Sequence, residues 1–160
     1  MIEAFWPKRA RVESAAPKSR RMKEMAQPKI LIAEDFLLIR SLLKNVLGEL
    51  GYTSIEEAKD GLEGYEKITQ AYMNGTPFDI VFIDWNMPRM TGIEVIEKCL
   101  AQDELKSLPF VMITAEREQD KVQQAIRAGV KDFIVKPFSA SVIKEKITRV
   151  LEAEGQKKAV

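Results

Sequence analysis

The sequence predicts an α/β domain: a (βα)5 doubly wound parallel sheet in strand order 2-1-3-4-5. Short apolar runs alternate five times with segments of helical apolar spacing from residue 29 onward. Such alternation implies a parallel sheet covered by helices on both faces. Right-handed crossovers leave few topologies, and this doubly wound order leads them. At 160 residues, 46% hydrophobic and 31% charged, the chain has the length and balance of one globular domain with a real core.

Each element has its own signal. KILIA (29–33) suits a short buried strand, β1. Ile39, Leu42, Leu43, Val46, Leu47 and Leu50 recur at helical spacing in α1, with Gly51 placed to stop the helix. YTSIEEA (52–58) alternates like a more exposed strand, β2, and residues 61–73 suit a helix, α2, ending near the Asn74-Gly75 turn. FDIVFI (78–83) is a second buried strand, β3, with five of six residues apolar. Thr91 and Glu94 have capping-box spacing, so α3 runs from Gly92 to about Ala101. LPFVMI (108–113) gives β4, Val122, Ala125, Ile126 and Gly129 mark α4 and its stop, and DFIV (132–135) gives β5. Ile143, Ile147, Val150 and Leu151 line α5, which fades near Gly155.

Composition excludes several chemistries. The chain has no histidine, so His-based acid/base catalysis, His metal sites and a Ser-His-Asp triad within it are ruled out. Its one cysteine, Cys99, excludes an intramolecular disulfide, fits a reducing cytoplasm, and lies on the apolar stripe of α3 as a core residue. No apolar stretch approaches the roughly 18–20 residues that span a bilayer, and the first residues lack a signal-peptide core. Residues 1–29 carry eight Lys/Arg against three Glu, whereas residues 30–160 carry 17 basic against 21 acidic residues. The expected organisation is a basic N-terminal extension over 1–28, one domain over 29–153, and a short tail over 154–160. A basic extension suits a weak nucleic-acid arm, but a solvated tail is the simpler expectation.

The polar residues gather at the carboxyl ends of the strands, where sites form in doubly wound sheets. β1 ends in Glu34-Asp35, β3 in Asp84, β4 in Thr114 and β5 in Lys136-Pro137. In the expected order β1 and β3 are neighbours, so Glu34, Asp35 and Asp84 converge in one cleft. Three carboxylates at close range repel each other unless protons or cations neutralise them. Hard oxygen ligands without His or Cys point to Mg2+. A metal, the Thr114 hydroxyl and the Lys136 ammonium facing Asp84 are the equipment for holding a phosphoryl group. Singly, each residue has a plainer role: Asp84 as a turn residue, Thr114 as a helix cap, Lys136 as a solvated lysine. Their joint placement on successive strand ends carries the functional reading.

AEDFLLIR, FIDWNMPRMTG, MITAE and DFIVKPF, in this order and spacing, resemble the receiver domain of bacterial two-component response regulators, chemotaxis regulators in particular. The resemblance covers about residues 29–153 and implies a flavodoxin-like fold. By it, Asp84 is the phosphoacceptor, attacking the phosphorus of a phosphohistidine on a sensor histidine kinase or phosphotransfer protein. Asp35, Asp84 and the backbone carbonyl of Asn86 hold Mg2+, with Glu34 helping through water. Lys136, on a cis bond to Pro137, pairs with a phosphoryl oxygen, and Thr114 with the Ala115 backbone N–H binds the others. Thr114 and Phe133 form the switch, and Asn86 and Glu116 tune dephosphorylation. A downstream protein binds the α4-β5-α5 face, in a cytoplasmic protein without membrane contact.

Two departures from the family pattern stand out. Glu34 occupies a position where Asp is commoner. Phe133 replaces the Tyr of the best-known chemotaxis regulators, removing a hydroxyl from any partner contact. The implied function is a phosphorylation-driven switch of chemotaxis type that assists its own phosphotransfer, rather than an enzyme acting on an external substrate. Control of a non-chemotaxis output, transcription or a second messenger, through a separate partner is the alternative. A DNA-binding regulator would have only the basic extension to contact DNA. A phosphatase would want a second Asp where DWN has Asn86, and a flavin protein a Ser/Thr-Gly-rich loop after β1.

Overall fold

The structure is a computed structural model, and it describes residues 27–158. The expected basic extension and its nucleic-acid arm fall almost wholly on residues 1–26, outside the described residues. The element order is β1 (Ile30–Ala33), α1 (Leu37–Glu49), β2 (Ile55–Ala58), α2 (Gly61–Met73), β3 (Ile80–Ile83), α3 (Gly92–Leu100), β4 (Phe110–Thr114), α4 (Gln119–Ala128), β5 (Asp132–Val135) and α5 (Ala140–Lys158). The strands form one parallel sheet in the order β2-β1-β3-β4-β5, as the sequence predicts.

Strand periodicity divides the core between two faces. Ile30, Ile32, Ile80, Phe82, Val111, Ile113 and Ile134 pack with Leu43, Val46 and Leu47 of α1 and Ile143, Ile147 and Val150 of α5. The alternate residues Leu31, Ala33, Val81, Ile83, Phe110 and Met112 pack with Ile68 of α2, Ile93 and Ile96 of α3, and Ala125 of α4. With both faces covered, the central strands are continuous apolar runs, which explains why β1, β3 and β4 are buried at every residue.

The helix boundaries follow local chemistry. Thr91 accepts from the Glu94 N–H at 3.2 Å while the Glu94 carboxylate accepts from the Thr91 N–H at 2.7 Å, completing the expected capping box on α3. Gly51, Gly75 and Gly129 follow α1, α2 and α4 with positive φ, the conformation that ends a helix at least cost for glycine. α5 differs from expectation, running through Gly155 to Lys158. A single helical glycine costs only about 1 kcal/mol, and a Glu154–Lys157 pair at 3.3 Å spans the position. Among the described residues no helix is long and apolar enough to cross a membrane.

Candidate functional site

Parallel register brings the site together. Ala33 pairs with Ile83, so Glu34 and Asp84 leave the sheet level with each other. The ladder continues past the strands: the Glu34 N–H donates to the Ala58 carbonyl at 3.0 Å, and the Asp84 N–H to the Ala33 carbonyl at 2.9 Å. On the far side the Lys136 N–H donates to the Thr114 carbonyl at 2.9 Å. The main chain beneath each of these side chains is thus fixed by the sheet.

The three carboxylates meet as expected. Glu34, Asp35 and Asp84 each offer an oxygen within 4.8 Å of the others. Glu34 and Asp84 are buried, at 3% and 7% exposure, while Asp35 faces solvent. One oxygen of Asp84 accepts from the Trp85 N–H at 2.7 Å, and the other faces Lys136 Nζ at 3.2 Å. Lys136 lies closer still to Glu34, with Nζ to Oε2 at 2.6 Å. The second Glu34 oxygen accepts from the Phe36 N–H at 3.0 Å. An all-oxygen, mixed buried and exposed donor set of this kind fits a hard divalent cation.

Burial dominates the electrostatics. It pushes the Asp84 carboxyl above its ordinary 3.8, although Lys136 pulls the other way. Burial, with the Asp84 charge adding to it, likewise raises Glu34 above 4.5. Burial alone would lower Lys136, but Glu34 and Asp84 outweigh it and hold the ammonium above 10.5. The cleft therefore contains a firmly protonated lysine and carboxylates whose negative charge is disfavoured until a cation arrives.

The remaining expected residues ring this cluster. Thr114 is buried at the tip of β4, its hydroxyl accepting from the Glu116 N–H at 3.3 Å, and Ala115 is exposed beside it. Asn86 is exposed, and its side chain donates to the Glu116 carboxylate at 3.2 Å, so the two residues assigned to tuning touch across the mouth of the cleft. Phe133 is half-buried on β5 opposite Met112 and packs against the core cluster of α2, α3 and α4. Trp85 is buried beside Asp84, with Lys121 Nζ 4.9 Å from its ring centroid. The Lys136–Pro137 bond is cis, as the resemblance implies. Cys99 is fully buried, and burial pushes its thiol up to about 12.

Sequence reasoning missed the brace behind Asp84. Asp60 is buried, caps α2 by accepting from the Glu63 N–H at 2.8 Å, and faces Arg89 Nη1 at 3.3 Å. Arg89 adopts a left-handed φ of 70°, so this pair ties a strained loop after Asp84 to α2. The spacing of Asp60 and Glu63 is a capping signal legible in the sequence; the Arg89 contact, 29 residues away, is not.

The family model for the response regulator receiver domain matches residues 30–148. The chain is 43% identical over 124 residues to the chemotaxis protein CheY-3 of Vibrio cholerae, covering 78% of this chain and 92% of that protein. Against the chemotaxis protein CheY of Pseudomonas aeruginosa it is 43% identical over 124 residues, covering 78% and 96%. The solved structure of V. cholerae CheY4 superposes with a TM-score of 0.71 at 33% identity, covering 79% of this chain and all of that one. A CheY-like receiver domain protein from Methanospirillum hungatei superposes at 0.72 with 26% identity, over 82% of this chain. With its sheet order, its strand-end carboxylates and these relatives in agreement, the chain belongs to the response regulator receiver domain family.

Proposed function

We propose that this receiver is a chemotaxis-type switch that takes a phosphoryl group onto Asp84 from a histidine kinase or phosphotransfer protein. The observation that carries the reading is the convergence of Glu34, Asp35, Asp84 and Lys136 at the ends of β1, β3 and β5. In the step, an Asp84 carboxylate oxygen attacks phosphorus, the P–N bond of a phosphohistidine breaks, and its electron pair returns to the imidazole nitrogen. Lys136, already 3.2 Å from Asp84, donates to a phosphoryl oxygen, while the Thr114 hydroxyl and Ala115 N–H take the others. Asp35, Asp84 and the Asn86 carbonyl would hold Mg2+, with Glu34 assisting through water, and the ion would supply the positive charge that lets one anion approach another. The chain assists its own phosphorylation by positioning and charge neutralisation, which suffice for phosphoryl transfer.

The output follows from Thr114 and Phe133 on adjacent strands. A Thr114 hydroxyl drawn toward the phosphoryl group leaves space that the half-buried Phe133 ring fills by turning inward. That motion reshapes the α4-β5-α5 face on which a downstream protein binds. The chemotaxis names of the 43%-identical relatives favour chemotaxis-type signalling over another output. Adding fluoroberyllate with Mg2+ and following Trp85 emission tests the reading. Wild type is expected to respond and Asp84→Asn to stay silent; equal responses would remove Asp84 as the acceptor.

A further inference from the structure

We infer that the basic segment just ahead of the domain docks on its own chain: Met22 and Met25 seat in an apolar groove at the end of the sheet opposite the phosphoacceptor cleft. The inference concerns a different surface from Asp84 and does not depend on the phosphoacceptor reading.

The groove forms where several elements begin or end. Ile68 and Tyr72 come from the second half of α2, Phe78 from the residues leading into β3, and Leu105 and Leu108 from the connection between α3 and β4. The end of α5 closes one side through Glu154 and Lys157, so the run of that helix past Gly155 is part of the wall. The volume is about 270 Å3, just under the roughly 300–1,000 Å3 of small-molecule pockets. That size suits a few side chains better than a ligand. Tyr72 is exposed on the rim, leaving an aromatic ring and an apolar floor that gain from being covered.

The point where the extension enters the domain selects the occupant. Lys29 lies against the groove wall: its Nζ is 4.6 Å from the Phe78 ring centroid and donates to the Thr76 carbonyl at 2.9 Å, and its backbone N–H donates to the Asp79 carboxylate at 2.8 Å. Met25 and Met22 precede Lys29 by four and seven residues, a reach of at most about 14 and 24 Å when extended. Charge agrees with reach. Lys18, Arg20, Arg21 and Lys23 against Glu24 make the stretch basic. The groove is bordered by Asp79, Glu104 and Glu154, and its lining adds one lysine, Lys157, itself 3.3 Å from Glu154. The unbranched thioether of methionine fills irregular apolar recesses and packs well on aromatic rings, which Tyr72 and Phe78 supply. So short a tether gives an effective concentration of about millimolar, and a contact too weak to hold a separate peptide suffices here. The basic extension is thereby drawn to the domain rather than to nucleic acid.

Amide hydrogen exchange on the full chain tests this. Docked, residues 22–25 should exchange about tenfold or more slowly than a free peptide of the same sequence, and the protection should vanish in a Tyr72→Ser, Glu104→Lys double variant. Both of those side chains are exposed, so the substitutions leave the core intact. Free-peptide exchange in the wild type would overturn the proposal, as would protection that survives the double variant. Protection lost on dilution would also overturn it, because the occupant would then be a second copy of the chain. A second measurement leaves the domain's own residues untouched: the methyl NMR signals of Ile68 and Leu105 on the groove floor should shift in a Met22→Ser, Met25→Ser double variant of the full chain. Unmoved methyl signals would refute the docking.

Discussion

Gly92 offers a prediction in which two effects oppose and their sizes decide the sign. It is the first residue of α3, its N–H donates to the Trp85 carbonyl at 2.9 Å, and it lies against the main chain of the acceptor residue. A Cβ at position 92 would stand 2.1 Å from the Asp84 carbonyl oxygen and 3.0 Å from its carbon. Replacing a helical glycine with alanine gains at most about 1 kcal/mol in helix propensity. Relieving the clash to ordinary contact requires α3 and the Asp84 backbone to separate by about 1.3 Å, and neither partner is a side chain that can rotate away. Overpacking costs about 1–3 kcal/mol, and a 2.1 Å approach to backbone belongs at the upper end, so the clash wins by about 2 kcal/mol, lowering Tm by roughly 4–8 °C for a chain of this size. Because the displaced atoms carry Asp84, phosphorylation by a small phosphodonor should slow by tenfold or more. Gly48→Ala is the control: it is exposed near the end of α1 with nothing within 4 Å of the added Cβ, so propensity alone acts. Its Tm should rise by up to about 2–4 °C. Calorimetry on the two variants settles the matter, and a Gly92→Ala protein as stable as Gly48→Ala would refute the steric argument.

Three further outcomes follow from the same geometry. Burial raises the Asp84 carboxyl above 3.8 in the folded chain, so its stabilising contribution is complete below that value and is lost as pH rises through the folded pKa. Metal-free Asp84→Asn should therefore resist urea better than wild type at pH 7, with the gap closing as pH falls toward 4; a gap that widens on acidification would contradict the sign. Thr91→Ala removes half of the capping box on α3 and should cost about 1 kcal/mol, read as a drop of roughly 2–4 °C in Tm. Cys99, fully buried with its thiol pushed up to about 12, should react with a thiol reagent at pH 8 only as fast as the chain opens, and brisk labelling of the native protein would place it elsewhere.

Much of the fold was legible because its signals are local. Apolar runs marked β1, β3 and β4, the Thr91–Glu94 spacing marked the start of α3, and Gly129 marked the end of α4. The strand order came from handedness rules, and with it the meeting of Glu34, Asp35 and Asp84. Gly155 misled because a glycine weakens a helix without stopping it; α5 continues through it to Lys158. What the sequence could not convey depends on side-chain reach across the sheet. Lys136 is 102 positions from Glu34, and only three-dimensional geometry shows that it lies closer to Glu34 than to Asp84. The Asp60–Arg89 brace behind the acceptor loop is hidden for the same reason.

The central claim is that Asp84 receives the phosphoryl group. Intact mass after incubation with a small acyl phosphate and Mg2+, followed by peptide mapping, tests it most directly. One added phosphoryl group per chain is expected, located on Asp84 and absent from Asp84→Asn. A label on another residue, or equal labelling of the Asn variant, would contradict it.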